Sequence, residues 1–348
     1  MNDLEEIRRL LPPAAAPDPL VVAQARARVF TAKPASSPIR RRAMLAAALG
    51  AVVVAGIVVV ADNKPTGPLS GRDVLLVAAT QAAKQPATSG RFYLSRKLNV
   101  VESDVGTAPD FYQFSTRFLS ENWVAADPAA PDFGGTVNLG SKPTKPSDVE
   151  AWKRQGSPAR ITVRDGITVL TVEGGEPRFG EVNREEVLGY GVGPNGERLY
   201  LTRQEMNSLP ADPDQLKSFL LGKPLDPQVG GEAWLIRFAT YLLSEFPIRP
   251  EARAGLFRML AGLEDVRSEG PATDPEGRPG MALTIAPKAG RNEGAVRLIV
   301  DTATGKLLSY EFKVTAQPVV SPINSSVEVV LSAEWTNDDP KPPSTEAP

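Results

Sequence analysis

Residues Ala43 to Ala61 read AMLAAALGAVVVAGIVVVA, a run of 19 residues without a charge. As a helix it would be roughly 29 Å long at ~1.5 Å per residue, close to the ~30 Å hydrocarbon core of a bilayer. Nine of its residues are Leu, Ile or Val. On the insertion scale these favour the membrane by about 3–5 kcal/mol, and there is no central charge to cancel that gain. A buried core helix of the same composition would need protein on every side, and Arg40, Arg41 and Arg42 at its edge argue against that. A cleaved export signal is the other alternative. Arg41-Arg42-Ala43-Met44-Leu45 loosely fits a twin-arginine pattern, and Val59-Val60-Ala61 is small enough for cleavage. Against it, the 42 residues before the run are patterned as helix, where an export signal has a short charged leader.

Charge sets the expected orientation. Residues 1–42 carry eight basic and four acidic side chains, leaving 31 and 37 for the remainder, so a whole-chain charge of −2 conceals +4 against −6. Arg40, Arg41 and Arg42 are the topology-setting residues. By the positive-inside rule the N-terminus is cytoplasmic and the C-terminal bulk extracytoplasmic, in a single-pass protein of the cell membrane. The expected organisation is a cytoplasmic tail at 1–42, a transmembrane helix at 43–61, a linker at 62–70, an extracytoplasmic domain at 71–337 and a disordered tail at 338–348. The last is rich in Pro, Ser and Asp.

The cytoplasmic piece reads as two short helices. Leu4, Ile7, Leu10 and Leu11 form one apolar stripe, ended by Pro12-Pro13. Asp18-Pro19 opens the second, with Val22, Ala25 and Val29 on one face. Helices this short cannot bury a core alone. Their stripe is either a docking face for a cytoplasmic regulator or part of a tail resting on lipid headgroups through its arginines.

Beyond the linker, Ser70 caps a helix to about Lys84 with Val74, Leu75, Ala78 and Ala82 on its apolar side. The period then changes to two. Phe92, Leu94, Leu98 and Val100 alternate, as do Tyr112, Phe114 and Phe118. Asp165-Gly166 joins two short strands in 160–172. Thr202 to Glu205 is a capping box, and Asp212-Pro213 starts another helix. In 232–246, Trp234, Phe238, Leu242 and Phe246 recur at intervals of four, and Pro250 opens a helix bearing Leu256, Leu260 and Leu263. Strands resume at Val296, Leu298 and Val300. After an Asp301–Gly305 turn come Leu308, Tyr310, Phe312 and Val314, and then Val327, Val329, Leu331, Ala333 and Trp335 sharing one face. The order predicts an α+β fold: a curved antiparallel sheet, an open half-barrel, with helices on its concave face.

With no Cys and no His, the chain has no disulfide, no thiolate nucleophile, no Ser-His-Asp triad, no His- or Cys-ligated zinc and no lipid anchor on Cys. Gly189, Gly191, Gly193 and Gly196 lack the GK[ST] ending of a phosphate loop and read as turn residues. Asp274, Glu276 and Asp301 read as turn chemistry. We therefore expect a non-enzymatic protein with no cofactor, and assign no catalytic, cofactor-binding or metal residues. The near-neutral charge gives no reason to expect direct nucleic-acid binding. The candidate sites are the docking stripe Leu4, Ile7, Leu10 and Leu11, and a hydrophobic pocket lined by Trp234, Phe238, Leu242 and Phe246. The latter would take a hydrophobic or envelope ligand if the sheet leaves a cavity, or would be plain helix-on-sheet core.

Several short passages occur together. They are Met1-Asn2-Asp3-Leu4 with Arg8, Arg9 and Leu10, Asp18-Pro19 with Arg26 and Arg28, and the Arg-flanked span. Further on are Glu121-Asn122-Trp123 with Asp127-Pro128, Leu209-Pro210-Ala211-Asp212-Pro213, and Arg253-Ala254-Gly255-Leu256 with Leu260-Ala261-Gly262-Leu263. Asp274-Pro275-Glu276-Gly277-Arg278 and Asp301 to Leu308 complete them. Taken together the chain resembles an actinobacterial family of single-pass membrane proteins found beside extracytoplasmic-function sigma factors. The external part is similar to the lipoprotein-carrier fold of the LolA, LolB and RseB type. The resemblance implies a sensory or regulatory protein whose cytoplasmic partner is a sigma factor or similar regulator. The alternative it leaves is a membrane-tethered carrier of lipid or lipoprotein.

Overall fold

The computed structural model describes residues 69–107, 110–164, 166–182, 188–192, 198–223, 231–287, 294–312 and 323–345. The cytoplasmic tail, the apolar run 43–61, and the linker up to 68 lie outside the described residues. Among the described residues no helix is long and apolar enough to cross a membrane.

The chain enters through α1 (Gly71–Lys84), then β1 (Phe92–Thr107), β2 (Asp110–Ala125), β3 (Asp132–Pro143) and α2 (Pro146–Arg154). Short strands follow: β4 (Arg160–Thr162), β5 (Val169–Thr171), β6 (Arg178–Val182), β7 (Leu188–Val192) and β8 (Arg198–Leu201). A helical block comes next, α3 (Arg203–Asn207), α4 (Pro213–Leu221), α5 (Gly231–Glu245) and α6 (Pro250–Ala261). Last come β9 (Val266–Thr273), β10 (Pro279–Ile285), β11 (Val296–Asp301), β12 (Lys306–Phe312) and β13 (Ile323–Thr336). The fold is α+β. Among the described residues the main sheet has nine strands in the order β6-β3-β2-β1-β13-β12-β11-β10-β9, antiparallel throughout. The last strand thus fills the centre, pairing with β1 on one side and β12 on the other.

Local chemistry explains the helix starts. Ser70 and Asp73 bond reciprocally as a capping box at α1, and Thr202 and Glu205 do the same at α3. Asp212 accepts from the amides of Asp214 and Gln215 ahead of Pro213 at α4. At the turns, Asp301 accepts from Ala303 N and Thr304 Oγ1, and Asp274 from the amides of Glu276 and Arg278.

The main core lies between the sheet and the helices. It joins α1, α4, α5 and α6 to Leu283, Ile285, Val296, Leu298, Val300, Leu307 and Tyr310 of the C-terminal strands. The Ala-rich side of α1 lets the β11–β12 turn come close. A Cβ on Gly305 would sit 2.4 Å from the Ala78 carbonyl oxygen, and Gly305 has φ +68°.

Register corrects one reading. Val327, Val329, Leu331, Ala333 and Trp335 do not share a face. β13 has a bulge opposite Arg96/Lys97, where Leu331 has no partner on β1. Val329 lies opposite Leu98, whereas Trp335 lies opposite Tyr93 and meets its ring edge-on at 5.5 Å. Leu98 and Tyr93 are five residues apart on a strand whose pairing with β2 runs without a shift, so they point to opposite faces. One extra residue moves Ala333 and Trp335 to the helix side.

Candidate functional site

Trp234, Phe238, Leu242 and Phe246 lie together in the main core, each no more than 3% exposed. Trp234 and Phe238 meet edge-on at 4.7 Å. The stripe is one side of a helix that is buried more widely, since Leu235, Ile236, Ala239 and Leu243 of α5 are buried too. α5 packs on β1, β13 and β12 of the sheet and on α4 and α6. Each of the four large stripe side chains contributes roughly 1.5–3 kcal/mol by leaving water. Leu4, Ile7, Leu10, Leu11 and Arg40 to Arg42 lie outside the described residues.

At its C-terminal end this apolar layer meets a buried polar cluster. Lys97 projects from β1 on the helix side and is 8% exposed. Its ammonium donates to Glu245, the last residue of α5, and lies 3.5 Å from Glu328 of β13. Asn99 Nδ2 donates to Glu328 at 2.5 Å. Tyr310 of β12, directly across from Glu328, is 2% exposed and its hydroxyl has no hydrogen-bond partner. Burial pushes the Lys97 ammonium down, but Glu245 and Glu328 outweigh it and hold it well above the ordinary lysine value. Burial pushes the Tyr310 phenol well up, with Lys97 opposing and the two glutamates reinforcing. The cluster is therefore a charged pin through a greasy interface, with an unsatisfied hydroxyl that costs about 1–3 kcal/mol.

Sequence reasoning missed this pin. A lysine beside an arginine in a strand reads as a wet face, and only the pairing of Asn99 with Glu328 puts the groups together. A second polar lock holds the helical block to the sheet edge. Both carboxylate oxygens of Asp132, 3% exposed, accept from Arg203 Nη2 at 2.9–3.0 Å, and Oδ1 also accepts from Ala125 N at 2.8 Å; Arg203 Nη1 donates to the Ala125 carbonyl.

On the opposite face of the sheet a cavity of about 230 Å³ is lined in part by Thr273, Asp274, Arg297, Ser309 and Glu311. No residue of the α5 stripe lines it. The tip of the β9–β10 hairpin lies over this face, where Glu276 accepts from Arg117 of β2 at 2.8 Å. Among the described residues no group of three or more carboxylates is placed to hold a metal ion.

No protein-family model matches the chain, and no curated protein is significantly similar to it. Among solved structures it is similar to a LolA superfamily protein from Nitrosomonas europaea. Identity is 9%, coverage is 78% of this chain and 96% of the other, and the TM-score is 0.19. It is also similar to a DUF1329 family protein from Desulfovibrio piger, at 10% identity over 76% and 91% with a TM-score of 0.20. An outer membrane lipoprotein-sorting protein domain from Vibrio parahaemolyticus matches at 10% identity over 75% and 91%, TM-score 0.19.

Proposed function

We propose that the domain binds an amphiphilic, lipid-like ligand between α5 and the sheet, and that the span at 43–61 holds it at the bilayer from which such a ligand is drawn. One observation carries this: a continuous apolar layer, Trp234, Phe238, Leu242 and Phe246, that runs into a buried polar cluster with an unpartnered hydroxyl. That is the profile of a single amphiphile, with a long apolar body and one polar end. In the closed state its own side chains fill the layer. A ligand enters by parting α5 from the sheet at the Lys97 pin, with its polar group meeting Lys97 and Tyr310. In this reading the helix-bearing face is the inside of the open half-barrel.

Native mass spectrometry of the full chain, with solvent extraction of what it carries, tests the proposal. Bound lipid is expected in the parent protein. Phe238→Glu should lose it, and Lys97→Met should exchange it at least roughly tenfold faster. Parent protein that carries no lipid and takes up no fluorescent fatty acid or phospholipid probe would end the reading.

The charge asymmetry about the span favours a second reading. In it Leu4, Ile7, Leu10 and Leu11 dock a cytoplasmic regulator such as a sigma factor, and ligand occupancy outside is reported inside. A pull-down with residues 1–40 should capture that regulator, and Leu10→Asp should weaken capture; no capture removes it.

A further inference from the structure

Four aromatic rings sit on the sheet face away from α5. Phe92 meets Trp123 edge-on at 6.3 Å and Phe133 at 6.2 Å, and Phe133 stacks on Phe179 at 5.7 Å with planes 8° apart. Cross-strand register puts them on one surface, since Leu94, Trp123 and Phe133 are opposite one another, as are Gly135 and Phe179. Two residues beyond Phe133, Gly135 leaves the floor bare. A Cβ there would be 2.6 Å from Pro343 Cδ and 3.1 Å from the Phe179 ring.

Pro343 belongs to the segment after β13, which makes no regular element yet holds this proline buried. The segment is anchored at its start. Arg91 N donates to Asn337 Oδ1, its guanidinium pairs with Asp339 at 2.8 Å, and the same group lies 5.7 Å from the Phe92 ring centroid. Asp339-Pro340-Lys341-Pro342-Pro343 is a sequence for polyproline II. That helix makes no internal hydrogen bonds, so its carbonyls are free acceptors, and aromatic grooves recognise it through prolines and indole N–H groups. This face has the rings and a seated proline, and its indole is unsatisfied: Trp123 is 1% exposed and its Nε1 has no acceptor even with the tail in place.

We propose that this face is a recognition site for proline-rich extended peptides with an acidic residue ahead of the prolines, and that residues 339–345 occupy it in cis. The tail is an imperfect occupant. It supplies the acid for Arg91 and a proline for Gly135 but no carbonyl for Trp123. A peptide from another chain that supplies all three displaces it.

The chain has no cysteine, so one label reports the tail unambiguously. Thr345→Cys in the full chain in detergent, carrying a nitroxide, should give a broadened spin-resonance spectrum. Excess free peptide of residues 337–345 should sharpen it. The same peptide with Pro343→Asp should need roughly tenfold more. Placing Pro343→Asp in the chain itself changes only the tail, leaves the sheet intact, and should sharpen the spectrum without peptide. Gly135→Val should do the same with cooperative unfolding retained. A sharp spectrum in the parent label, or one that stays broad at millimolar peptide and in the Pro343→Asp chain, overturns the proposal.

Discussion

Gly305, like Gly140, carries two constraints at once. Its φ of +68° is the left-handed region, and the space where a Cβ would go is occupied by the Ala78 carbonyl oxygen at 2.4 Å and Ala82 N at 2.5 Å. Both blocking atoms are backbone and cannot rotate away. Gly305→Ala should therefore cost about 2–4 kcal/mol, read as a lower urea midpoint, whereas Gly277→Ala, at φ +78° but with open space, should cost only about 1–2. Lys97 is the other residue whose effect has a clear sign. Its pKa is raised on folding, so its contribution is fully present below the ordinary lysine value of 10.5 and fades as pH climbs through the higher folded value. Tyr310 acts the same way, because the folded state keeps its proton after the unfolded chain has lost it. With respect to these two groups stability should be flat from about pH 6 to 9 and fall above about pH 10. In Lys97→Met, chemical unfolding at pH 7 should show a loss of about 1–3 kcal/mol, since the half-buried Glu245 and Glu328 are left without their cation, and the alkaline slope should shrink.

The elements that were legible in the amino-acid sequence are those whose ends carry their own chemistry. The helix starts at Ser70, Thr202, Asp212 and Pro250 stand where capping and proline place them. β1, β2 and β11 follow from alternation, but in β12 a bulge between Leu307 and Ser309 turns Leu308 away from Tyr310, to pack with Ala282 and Ile299. β3 was not legible: Gly134, Gly135 and Gly140 interrupt its pattern, and those glycines serve close approaches from Val182, Pro343 and Val172 that only the assembled sheet supplies. The bulge at Leu331 was invisible for a similar reason, because a bulge is a property of a pair of strands. Of the candidate site, the aromatic stripe of α5 could be read and the Lys97 pin could not, because its members come from β1, α5 and β13. Between elements the strongest polar joint is Arg203 to Asp132. Asp132→Ala removes the acceptor of Arg203 Nη2 and of Ala125 N, and should lower stability by about 3 kcal/mol. Arg203→Lys, which keeps the charge but loses the fork, should lose less than Asp132→Ala in the same thermal or urea titration.

At the scale of the molecule, the placing of β13 ties the two halves of the chain into one cooperative unit. β1 to β3 form one block and β9 to β12 another, and among the described residues no strand pairing joins them except through β13. Without it, β1, 16 residues long, and β12, seven residues long, are left as edges with unpaired amides and carbonyls and with apolar residues such as Leu98 and Tyr310 open to water. The helical block packs mainly on β10, β11 and β12 and reaches the other half through polar pairs such as Lys97–Glu245 and Arg203–Asp132, which do not replace a central strand. Ending the chain after residue 322 should therefore abolish cooperative unfolding and give an aggregating product rather than two stable pieces. Ending it after Asn337, which removes only the proline-rich segment, should keep one cooperative transition. Calorimetry or urea unfolding of the two truncations decides the matter: a cooperative transition in the chain that stops at 322 would mean that the two blocks are separate domains and that β13 merely joins their edges.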